Sequence, residues 1–114
     1  MAKRWSRGST RFDKDIGMQH LTLKDIAEIK TNFEEADFWL VRRGSAIKVG
    51  KSVEDFHPEH IGIRFNSQLV FARYFFYVMQ QYHSQGVFEK MAKGSFLLVH
   101  ITVDDVGALK AHPT

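Results

Sequence analysis

Apolar positions crowd most densely between Leu69 and Gln85, LVFARYFFYVMQQYHSQ, a run without Gly or Pro that includes Phe71, Tyr74, Phe75, Phe76, Tyr77 and Tyr82. About 17 residues of α-helix span roughly 25 Å, enough for the spine of a small domain. Arg73, Tyr77, Gln80, Gln81 and Ser84 recur at spacings of three and four and share one wetter stripe, while most other positions are apolar. That balance predicts a helix enclosed around most of its circumference by a sheet or other helices. Arg73 interrupts the run and the apolar positions fall well short of the roughly 20 a bilayer span needs, so the expectation is a buried helix with no membrane partner.

Before this run, Leu21, Leu23, Ile26 and Ile29 are the apolar positions of HLTLKDIAEIK, and Thr22 with Asp25 three residues on suits a capping box. The pattern predicts a short helix over Leu23 to Glu28, then a polar, acidic loop over Thr31 to Ala36. Asp37 to Arg43, DFWLVRR, reads as a strand whose apolar stretch is too continuous for a surface position. Gly44 and Ser45 end it, and Ala46 to Ser52 makes a turn or short hairpin arm. Ile61, Ile63 and Phe65 alternate with Gly62 and Arg64, a half-buried strand. Beyond the long run, Gly86 is placed to stop a helix, Val87 to Ala92 gives further helical turns, and Lys93 to Ser95 a turn. Phe96 to Ile101 follows as a strand, and Thr102 with Asp105 repeats the capping pattern before a closing helix near Val103 to Leu109. The expected fold is α+β: a single mixed α/β domain with a small twisted sheet packed on the long helix over 69–85, flanked by short helices.

Charge divides the chain. Residues 1 to 14 hold Lys3, Arg4, Arg7, Arg11 and Lys14 against Asp13, a balance of +4 within a formal net charge of +3. The first 16 residues have neither helical nor strand period and read as a mobile basic arm, with Trp5 and Phe12 able to anchor it or to stack on bases; residues 17 to 114 form the globular unit. The amino terminus lacks an apolar stretch of signal-peptide length, which points to a cytoplasmic location. The 114 residues suffice to bury a core, and the absence of cysteine excludes disulfides, thiolate catalysis and Cys-ligated zinc.

Little in the sequence supports catalysis. His57 and His60 sit close enough to share a metal, but no third ligand is placed by sequence beside them. Neither Gly44-Ser45 nor Gly94-Ser95 sits in a nucleophile elbow, and no phosphate loop, dinucleotide fingerprint or zinc-protease motif occurs. The expectation is a non-enzyme with no catalytic, cofactor or metal residues.

The sharper signal is Arg42-Arg43-Gly44-Ser45 at the end of a buried strand, followed by Lys48 and Lys51. Arginines leaving a strand into a glycine turn have a rigid base and an exposed head, suited to bidentate contacts with guanine edges or phosphates. The ordinary alternative is that they solvate the surface or pair with Glu34 and Glu35. Lys90, Lys93, Gly94 and Ser95 make a second basic turn. Were both turns and the arm to meet on one side, their field would cover a DNA-sized footprint.

The order of these features resembles one target recognition domain of a type I restriction-modification specificity subunit. The resemblance is carried by Leu23-Lys24-Asp25-Ile26-Ala27-Glu28-Ile29, Val41-Arg42-Arg43-Gly44-Ser45 and Ile61-Gly62-Ile63-Arg64. It continues through Arg73-Tyr74-Phe75-Phe76-Tyr77-Val78, Lys93-Gly94-Ser95 and His100-Ile101-Thr102-Val103-Asp104-Asp105-Val106. It spans about residues 21 to 109 and lies in order and spacing, each motif being weak alone. What it implies is a sequence-specific double-stranded DNA reader without its own catalytic centre, working with modification or restriction subunits. The two Gly-Ser turns fall at matching positions, while Asp25, Ile26, Ile29, Ile101 and Val106 match positions that look architectural. The family's second recognition domain and long spacer helices have no counterpart here, so a detached domain, carried by a phage or other mobile element, fits the length better.

The candidate DNA contacts are therefore Arg4, Arg7, Arg11, Arg42, Arg43, Ser45, Lys48, Lys51, Lys93 and Ser95. A lone reader would gain a second half-site as a homodimer. The competing class is a protein-interaction or structural module that uses the aromatic helix as a partner groove and the arm against an acidic protein.

Overall fold

A computed structural model describes residues 21–66, 69–95 and 97–111. The basic arm, with Arg4, Arg7 and Arg11, lies outside them. The fold is α+β, with elements in the order α1 (Leu23–Ile26), β1 (Ala27–Thr31), β2 (Phe38–Leu40), β3 (Arg43–Gly44), β4 (Ser52–Val53), β5 (Ile61–Phe65), α2 (Leu69–Ser84), α3 (Val87–Met91), β6 (Lys93–Gly94), β7 (Val99–His100) and α4 (Val103–Gly107).

Two antiparallel sheets take the place of the single expected one. The larger has the order β1-β5-β2-β4 and the smaller β3-β7-β6. One stretch of chain serves both. Phe38 to Leu40 pairs with β5 and β4, and the Val41 N–H donates to the Lys51 carbonyl at 3.0 Å. The next carbonyl, of Arg42, accepts from the Ile101 N–H at 2.9 Å, and Arg43 and Gly44 then pair with β7. The apolar run from Phe38 to Val41 is continuous because Phe38 to Leu40 are buried within the larger sheet, and the residues that follow, Arg43 and Gly44, are handed to the second.

The first helix is shorter than its periodicity suggested. It stops at Ile26, and Ala27 to Thr31 is an edge strand in register with Phe65 to Ile61. Ala27 and Ile29 point inward on alternate positions, so residues that also satisfy a helical period are claimed by the unpaired edge of β5. The turn expected over Lys93 to Ser95 is likewise partly strand, and regular pairing in the strand expected over 96–101 is confined to Val99 and His100.

Helix α2 lies across the larger sheet. Ala72, Phe75, Val78, Met79 and Tyr82 are buried, whereas Arg73, Tyr74, Tyr77, Gln80, Gln81 and Ser84 are exposed. The wetter stripe read from the sequence is real, but enclosure around most of the helix is not: one layer of sheet covers one face, and Tyr74 joins the exposed side. Phe38 of β2 contacts Phe76 edge-on at 5.3 Å between centroids and Phe65 at 6.0 Å, and Phe65 stacks on Phe75 at 4.8 Å. These rings tie helix to sheet, and burial of each such side chain contributes about 2–3 kcal/mol before entropy is counted.

The two capping signatures, far apart in sequence, come side by side. The Leu23 N–H donates to the Leu109 carbonyl at 2.8 Å and the Ala111 N–H to the Leu21 carbonyl at 2.9 Å, so the two ends of the described chain form a bridge. The Tyr82 hydroxyl closes it by donating to the Lys110 carbonyl at 2.8 Å. Burial of that phenol raises its pKa. In α4 the box is complete: the Thr102 N–H donates to Asp105 Oδ2, and the Asp105 N–H to Thr102 Oγ1, both at 3.0 Å.

Candidate nucleic-acid interface

The smaller sheet unites the two Gly-Ser turns. Arg43 and Lys93 are each paired with His100, and Gly44 and Gly94 with Val99. Paired residues in antiparallel strands project to the same side, and adjacent strands are about 4.8 Å apart, so Arg43, His100 and Lys93 form one cross-strand row about 10 Å wide. Ser45 and Ser95 continue both edges toward the same end of the sheet. Their convergence depends on β7, a two-residue strand that the sequence pattern does not delimit.

Each candidate side chain has a distinct setting. Arg42 is half-buried, and its Nε donates to the Glu59 carbonyl at 2.9 Å, which fixes the base of the guanidinium and leaves its terminal nitrogens for a ligand. Arg43 is exposed and has no hydrogen-bond or ion-pair partner among the described residues. The ion pairs there are Lys30 with Glu28 at 3.2 Å and Lys93 with Asp105 at 3.1 Å, so neither arginine is spent on Glu34 or Glu35. Lys48 is exposed and packs its Cβ beside Gly44, and the Ser45 carbonyl accepts from the Lys48 and Val49 N–H groups, both at 3.1 Å. Lys51 is exposed just before β4.

Two candidates are engaged locally. Lys93 Nζ donates to both oxygens of Asp105, at 3.2 and 3.1 Å. Burial would raise the Asp105 pKa, but the Thr102 N–H, Lys93 and the Thr102 hydroxyl outweigh it and hold the carboxyl below its ordinary value. Ser95 Oγ bonds within its own turn, donating to the Leu98 carbonyl at 3.3 Å and accepting from the Leu98 N–H at 3.1 Å. Ser95 builds the hairpin, and Lys93 braces it against α4.

Arg42, Arg43, Leu98, Val99 and His100 line a shallow surface cavity of about 220 Å³, so cationic and apolar side chains share it. His100 and Leu98 are not among the candidate DNA contacts read from the sequence, His100 entering only through the resemblance. The signal for Leu98 was present, because Phe96-Leu97-Leu98 directly after Gly-Ser is an apolar run where turn chemistry calls for polar residues. Leu97 and Leu98 are 79% and 52% exposed, and Ile47, in the turn after β3, is 75% exposed.

The histidine pair borders this region through Glu59. His57 and His60 stack at 4.6 Å between centroids, and the Glu59 N–H donates to His57 Nδ1 at 3.1 Å. His60 Nδ1 is buried without a partner among the described residues, and desolvation, with the neighbouring His57, lowers its pKa. Among the described residues no group of three or more His, Asp or Glu is placed to hold a metal, and no helix is long and apolar enough to cross a membrane.

Comparison with protein-family models, with curated proteins and with solved structures finds no match to this chain.

Proposed function

We propose that this domain binds double-stranded DNA through the β3-β7-β6 sheet, as a non-catalytic reader of the kind a target recognition domain represents. The observation that carries the reading is the convergence of Arg42-Arg43-Gly44-Ser45 and Lys93-Gly94-Ser95 on two edges of one small sheet. Arg42 supplies a guanidinium anchored at Nε, whose position is set before binding, and Arg43 an exposed one whose donors are not spent on another described residue, so both are available to a phosphate or guanine edge. Lys48 and Lys51 extend the positive field, and the arm with Arg4, Arg7 and Arg11 adds sequence-independent phosphate attraction. Modification or restriction subunits would be the partners of such a reader in a larger complex, and a second copy the partner of a free-standing one.

The test is selection of a randomised duplex pool at near-physiological salt, followed by affinity measurements across a salt series. A reader retains duplex, enriches one motif and weakens steeply as salt rises. Absence of both retention and enrichment rejects the proposal. The exposed Tyr74 and Tyr77 beside Arg73 on α2 favour a second reading, a protein-interaction face on that helix. Tyr74→Ala with Tyr77→Ala then leaves DNA binding intact while abolishing association with a protein partner.

A further inference from the structure

The end of the β6-β7 hairpin is built against ordinary turn chemistry. Gly94 pairs with Val99, and the Ser95 N–H donates to the Leu98 carbonyl at 3.0 Å, so the reversal is tight. Tight hairpin turns favour Asn, Asp and Gly, which tolerate the required backbone and stay hydrated. Here the sequence reads Ser95-Phe96-Leu97-Leu98. Phe96 lies outside the described residues; Leu97 and Leu98 are among the most exposed large apolar side chains of those that are described.

The hairpin is nevertheless braced. Gly94, at φ +136°, brings the β6 backbone so close to β7 that a Cβ would lie 2.5 Å from the Leu98 carbonyl oxygen and 3.0 Å from Val99 Cα. Ser95 Oγ locks the turn, and Lys93 is fixed to Asp105. Ile47 belongs to the turn that leaves β3 at the same end of the sheet. Cations neighbour this apolar end: Arg42 and Arg43 line the same cavity as Leu98, and Lys48 lies beside Gly44. Exposed leucines backed by guanidinium groups are complementary to a partner with an anionic surface and a stacked apolar interior, which describes a nucleic-acid duplex.

We propose that Leu97 and Leu98 act as a wedge that inserts between base pairs from the minor groove, while Arg42 and Arg43 hold the flanking phosphates. This rests on the DNA-binding reading and deepens it. Insertion separates a base step, kinks the duplex away from the protein and gives the tip an apolar environment. Specificity then includes how easily a step opens, with pyrimidine-purine steps favoured.

The experiment uses the full chain and a duplex carrying 2-aminopurine at successive positions, with a donor and acceptor dye at its two ends and affinity measured on the same duplex. Insertion raises 2-aminopurine fluorescence at one step and shortens the end-to-end distance. Leu97→Ala with Leu98→Ala removes both signals and weakens binding by about a hundredfold, the scale set by losing burial of two leucine side chains. These positions are exposed, so circular dichroism and melting stay at the parent values. Tight binding with 2-aminopurine quenched throughout and no bend overturns the wedge and leaves the DNA reader standing. No binding of any duplex by the parent protein overturns both. Concentration-dependent dimerisation that the double variant loses, without base unstacking, assigns the tip to a second copy of the chain and also overturns the wedge.

Discussion

Arg43 and Lys93 lie on opposite edges of one three-stranded sheet and share a single cross-strand partner, His100. They are not equivalent, because Lys93 is ion-paired with Asp105 and Arg43 is unpaired among the described residues. Arg43→Ala is expected to cost about 1–2 kcal/mol of duplex affinity and to reduce the salt slope by about one. Lys93→Ala is expected to cost less, about 0.5 kcal/mol, since its ammonium is held by Asp105 and is not free to bond a phosphate. Equal losses from the two substitutions, measured by fluorescence anisotropy over a salt series, would contradict the asymmetry.

Asp105 links this sheet to the last helix, and its depressed pKa makes the link pH-dependent. A carboxyl whose folded pKa lies below the ordinary 3.8 contributes stability above that value, and the contribution disappears as pH falls through the folded pKa. The parent protein should therefore lose urea resistance more steeply below about pH 4 than Asp105→Asn, which lacks the titrating group. Asp105→Ala also removes half of the capping box and is expected to cost about 1 kcal/mol at neutral pH. Parallel pH profiles for parent and Asp105→Asn would show that the cap and ion pair carry no linkage.

His60 has the same sign of shift at a higher pH. Burial favours the neutral ring, so stability present above the ordinary value of about 6.5 declines as pH falls below it. Its Nδ1 has no partner among the described residues, so replacement by an apolar ring of similar size removes an unsatisfied atom. His60→Phe is expected to flatten the melting temperature between pH 7 and pH 5 while leaving it level or higher at pH 7. A profile unchanged from the parent would place the acid sensitivity elsewhere.

The parts of the fold that were legible in the sequence are those fixed by local chemistry. Thr22-Asp25 and Thr102-Asp105 announce two helix starts because a capping box is a four-residue interaction, and both helices begin there. The long helix and its outward stripe follow from spacing within 17 residues. What escaped depends on partners distant in sequence. Ala27 to Thr31 fits either a helix or a strand until β5 offers it an edge, and the handover at Val41 and Arg42 exists only because Ile101 returns to meet it. The candidate interface divides the same way: Arg42, Arg43 and the two Gly-Ser turns were visible one by one, while their shared row through His100 and the apolar tip required the topology.

Gly62 offers a test of how the larger sheet is covered on the face away from α2. It sits in the central strand β5, where glycine ordinarily weakens a sheet by about 0.5–1 kcal/mol relative to alanine. Propensity alone therefore predicts that Gly62→Ala stabilises the protein. The surroundings predict the opposite: a Cβ would stand 2.8 Å from the Cβ atoms of both Ala36 and Phe33, and 3.0 Å from Trp39 Nε1. The first two belong to the loop between β1 and β2, which is pinned by the bond from Trp39 Nε1–H of β2 to the Phe33 carbonyl at 2.9 Å and by Lys30 over the Phe33 ring at 4.6 Å. Two of the three are short side-chain atoms carried on backbone that cannot shift without lifting the loop, so overpacking should win. Gly62→Ala is expected to destabilise by about 1–3 kcal/mol in urea titration. In a Trp5→Phe background, where Trp39 is the sole indole, its emission should move to longer wavelength as the buried ring is exposed to water. A stabilised Gly62→Ala protein with unchanged Trp39 emission would mean that the loop does not rest on the strand as closely as these distances require.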